Sequence, residues 1–66
     1  MLIFTAEYFF KCACRDFGLE SPYTYAIGKI VELKKTATIA PPEHWDGLAK
    51  LVYGYGLKYT AEDEGE

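Results

Sequence analysis

A chain of 66 residues makes one domain, and at this size only about 60% of the unfolded surface is buried, so folding alone is marginal. Half of the residues are hydrophobic and 17% are aromatic, with a net charge of −3. That charge argues against a strongly basic nucleic-acid reader, and the absence of 18 consecutive apolar residues argues against a membrane-spanning helix.

The charge is unevenly distributed. Glu62, Asp63, Glu64 and Glu66 are four of the ten acids, and the remaining six face seven bases. The expectation is a near-neutral single domain over residues 1–61 and a disordered acidic tail over 62–66, which has no apolar residue to bury. The N-terminus lacks a basic region ahead of its apolar residues and carries Glu7 among them, so no signal peptide is expected.

Leu2, Phe4, Ala6, Tyr8, Phe10, Cys12 and Cys14 share one parity of the first segment, and Thr5, Glu7, Lys11 and Arg15 share the other, with Ile3, Phe9 and Ala13 among them. A period of two predicts a strand. Ala6, Phe10, Ala13 and Phe17 also form a helical stripe, and the strand is preferred. Asp16 to Pro22, with Gly18 and Ser21, reads as a turn or loop.

From Tyr23 onward the alternation sharpens. Val31, Leu33, Ala37 and Ile39 fall on one face, with Glu32, Lys34, Thr36 and Thr38 on the other. A second strand is predicted, bent at Gly28. Ser21-Pro22 would instead cap a helix carrying Tyr23, Ala26, Ile27, Ile30 and Leu33 on one face, but Gly28 and the β-branched residues weigh against it.

Pro41-Pro42 ends the strand. Trp45, Leu48, Ala49 and Val52 follow at helical spacing, and Gly54 and Gly56 read as stops. Leu57 to Thr60 would add a short last strand. The expected fold class is therefore α+β: a small antiparallel β-ribbon or sheet, β–β–α with an optional last strand, covered by one helix at about 42–53. Val31, Leu33, Ala37 and Ile39 should be buried against Trp45, Leu48 and Val52.

Catalytic groups are scarce. His44 and Ser21 are the single histidine and serine, and His44 and Asp46 do not face each other on a helix. Cys12 and Cys14 lack the second knuckle of a zinc site. On one strand they would sit about 6.8 Å apart, at the outer limit for a bridge. Both are expected to be reduced core residues of a cytosolic protein. No enzyme activity, metal or cofactor is expected. Tyr53-Gly54-Tyr55-Gly56 lacks the residues of a phosphate loop.

What remains points to contact. Tyrosine offers rigid area with a polar tip and is enriched at binding hot spots. The expected protein-binding surface is an aromatic turn with Tyr53, Tyr55 and Tyr59, or else the exposed ribbon edge near Lys29 and Lys34. In size and style the chain is like the small inhibitors and modulators of larger proteins that phages and mobile elements encode. The alternatives are a homodimer or larger self-assembly through strand edges, and a nucleic-acid-binding β-ribbon. The latter is poorly equipped, with no Asn or Gln and one Arg to read bases.

Overall fold

The computed structural model describes the backbone of residues 4–64 and the side chains of residues 4–60. It contains three helices: α1 (Ala6–Phe17), α2 (Pro22–Thr36) and α3 (Pro42–Glu64). No strand occurs among the described residues. The expected α+β class is therefore corrected to an up-down-up three-helix bundle. Both segments expected as strands are helices, and the stretch from Leu57 to Thr60 is helix as well.

Local chemistry explains each start and stop. Thr5 caps α1, its side chain accepting from the Tyr8 N–H at 3.1 Å. Gly18 ends it with φ 86°, in the left-handed region that suits glycine, and its N–H donates to the Cys14 carbonyl. Ser21 caps α2 and Pro22 opens it, with the Tyr23 N–H donating to Ser21 Oγ at 3.2 Å. Lys34 and Lys35 occupy the last turn of α2, where the helix dipole favours cations. The connections are short, as antiparallel neighbours require.

The core is built on the helical stripes. Ala6, Phe9 and Ala13 from α1, Ile27 and Ile30 from α2, and Trp45 and Ala49 from α3 form one buried cluster. Each large member contributes about 1.5–3 kcal/mol by leaving water. The alternation over 31–39 does not describe burial. Val31 and Ala37 pack on the core, whereas Leu33 is exposed and Ile39 is 87% exposed in the α2–α3 connection. Trp45, Leu48 and Val52 do belong to the core and its margin.

Glycine acts inside the helices by permitting close approach. A Cβ on Gly28 would lie 3.1 Å from the Phe10 ring, and one on Gly56 would lie 2.6 Å from the Phe17 ring. The expected stop at Gly56 is thus a packing site. Helix α3 continues through it into the acidic segment as far as Glu64, and residues 65–66 lie outside the described residues. Gly56 meets Phe17 and Tyr23, which flank the α1–α2 turn. The following turns of α3 therefore run past that end of the bundle.

Candidate functional site

Two polar ties hold α3 in place. Near its start, the Lys34 ammonium bonds Glu7 Oε1 and Asp46 Oδ1, both at 2.9 Å, and Asp46 Oδ1 also accepts the Ala6 N–H at 2.8 Å. Lys34 and Glu7 hold each other charged. The hydrogen bond from Lys34 lowers the Glu7 pKa, and the bonds to Asp46 and Glu7 raise that of Lys34. Burial pushes the Asp46 carboxyl up, but the bonds from Lys34 and the Ala6 N–H outweigh it and leave its pKa lowered. Further along, the Tyr53 hydroxyl donates to Asp16, which also takes the Arg15 guanidinium at 3.0 Å. Bonding to Asp16 raises the Tyr53 pKa.

These ties redistribute the expected contact residues. Lys34 is an internal clamp, its side chain 17% exposed. Lys29 lies on α2, 3.6 Å from Glu32 and over the Tyr25 ring at 5.4 Å. There is no ribbon edge for either to line. The expected aromatic turn is helix, so Tyr53 and Tyr55 point to different sides. Tyr53 packs against Phe9 and Phe17 at 5.6 and 5.5 Å. Tyr55 and Tyr59, one turn apart, stack at 6.0 Å in the open.

The structure adds Leu51, which sequence reasoning missed. Leu51, Tyr55 and Tyr59 are 57%, 50% and 43% exposed and recur at i, i+4 and i+8 along one flank of α3. That spacing is visible in the sequence once the helix is carried through Gly54. Gly47 and Gly54, seven residues apart, meet nothing within 4 Å, so the helix surface beside Leu51 is low.

Two open grooves flank α1. One, of about 340 Å³, lies between α1 and α2 over Phe10, Thr24 and Gly28, with Lys29 and Glu32 among its lining residues. The other, of about 290 Å³, lies between α1 and α3. Phe4, Tyr8, Phe9 and Tyr53 line it together with Cys12, Arg15 and Lys50. The neighbouring Cys12 side chain, one turn along α1, raises the Tyr8 pKa. Both cysteines are free, Cys12 buried and Cys14 partly so; two residues apart on a helix, they diverge. No group of three or more His, Cys, Asp and Glu side chains is placed to hold a metal among the described residues. Nor is any helix there long and apolar enough to cross a membrane. Comparison with protein-family models, curated proteins and solved structures finds no match for this chain.

Proposed function

We propose that this chain is a small helical module that binds a larger protein and modulates it by contact, without catalysis. The observation that carries this reading is the continuous exposed stripe Leu51–Tyr55–Tyr59 on α3. A flat row of one leucine and two stacked rings suits the face of a partner helix better than a small molecule, which needs a concave site. Gly47 and Gly54 leave space beside Leu51 for a partner backbone. The inhibitor or modulator role rests on size and style alone.

The test is a double substitution, Tyr55→Ala with Tyr59→Ala. Neither ring is in the buried cluster, so the variant should keep helicity and thermal midpoint while losing a partner captured by the parent chain from cells that express it. A photo-crosslinker at Lys58 should join that partner, and one at Lys35 on α2 should not. Undiminished capture by the double variant would move the surface elsewhere.

A further inference from the structure

The α1–α3 groove combines aromatic walls with excess positive charge. The rings of Phe4, just before α1, and Tyr8, on α1, stand 5.2 Å apart, and Tyr53 lines the same groove from α3. Arg15 and Lys50 belong to the same lining. Arg15 shares the single carboxylate of Asp16 with Tyr53, and Lys50 has no carboxylate partner among the described residues. Lys11, one turn before Arg15, is exposed on α1. A groove of about 290 Å³ has room for a ring and little more.

The chain itself carries the complementary chemistry. The exposed ring of Tyr59 heads a segment containing Glu62, Asp63, Glu64 and Glu66, with no base after Lys58. We infer that the α1–α3 groove of one copy receives the Tyr59–Glu66 segment of a second copy, the ring between the aromatic walls and the carboxylates against Arg15 and Lys50. A chain cannot fill its own groove this way. Lys50, Tyr53 and Tyr59 lie on one continuous helix, and a rod that rises about 1.5 Å per residue cannot fold back onto its own earlier turns. The contact therefore lies between copies, the groove of one against the segment of another.

Charge gives the inference a sign. Each copy carries −3 overall, so general repulsion would make association grow with salt. A contact between opposite charges instead weakens as the Debye length shrinks from about 30 Å at about 0.01 M salt to about 8 Å at about 0.15 M.

Sedimentation equilibrium of the full chain across that salt range tests it, with two variants. Lys50→Glu disables the groove, and Glu62→Gln, Asp63→Asn, Glu64→Gln and Glu66→Gln together disable the segment. The parent chain should self-associate, with a dissociation constant rising about tenfold over that range. Each variant alone should stay monomeric, and an equimolar mixture should form a one-to-one dimer, because one intact groove then meets one intact segment. A parent chain that is monomeric throughout, association that grows with salt, or variants that fail to complement would each overturn the inference.

Discussion

The Lys34 ammonium lies 2.9 Å from Asp46 Oδ1, joining the last turn of α2 to the first turns of α3. Because the same oxygen accepts the Ala6 N–H, one carboxylate binds the beginnings of two helices to the end of the third. A charge-assisted bond of this kind contributes about 1.5–3 kcal/mol where it is partly shielded from water. Lys34→Met should therefore lower stability by about 1–2 kcal/mol in urea unfolding. An unchanged midpoint would show that the cluster is only a solvated surface pair.

The same cluster sets a pH dependence. Glu7 and Asp46 have folded pKa values below their ordinary 4.5 and 3.8. Their contribution is complete above those ordinary values and is lost as pH falls through the depressed folded ones. The thermal midpoint of the parent chain should fall below about pH 4.5, and that of Lys34→Met should fall less steeply. Lys34 is raised from 10.5, so its share persists to high pH and is lost only above that value. Equal acid slopes for the two proteins would contradict the assignment.

The glycines of α3 have opposite roles. Gly54 sits mid-helix with open space at its Cβ position, whereas Gly56 is covered by the Phe17 ring. Gly54→Ala should stabilise the fold by about 0.5–1 kcal/mol. Gly56→Ala should destabilise it by about 1–3 kcal/mol through overpacking. Were residues 53–56 a turn, both substitutions would be unfavourable or neutral, so thermal melts of the pair decide.

Tyr53 and Tyr55 should separate in the same way. Tyr53 packs between Phe9 and Phe17 and reaches Asp16. Its replacement by alanine should cost about 2–3 kcal/mol, whereas Tyr55→Ala should stay within about 0.5 kcal/mol of the parent chain. Chemical denaturation of the single variants measures both, and similar losses would place Tyr55 in the core.

Trp45 is buried, yet its Nε1–H has no acceptor among the described residues. Trp45→Ala should cost about 3–5 kcal/mol, enough to unfold a domain this small. Trp45→Phe keeps a ring and removes the unpaired donor, whose burial costs about 1–3 kcal/mol. Its stability should fall within about 1 kcal/mol of the parent chain. A phenylalanine variant as damaged as the alanine one would show that the indole shape, not its burial alone, is required.

Several features were decided by sequence. Trp45, Leu48, Ala49 and Val52 announce a helix, and Pro41-Pro42 announces its start, because spacing and proline geometry are local. Ser21-Pro22 and the stripe from Tyr23 to Leu33 also mark α2, and Ala6, Ala13 and Phe17 mark α1. Only the tertiary structure chose between these stripes and the competing period of two. Over 31–39 the alternation misreports burial, because Lys34 is drawn inward by Glu7 and Asp46 while Leu33 and Ile39 stay in water. That ion cluster joins residues up to 40 positions apart, and no local pattern reports it. Gly54 and Gly56 look like breakers in sequence. Packing of Phe17 and Tyr23 against Gly56 outweighs their poor helix propensity, and α3 thereby carries Tyr55 and Tyr59 on its surface instead of on a turn.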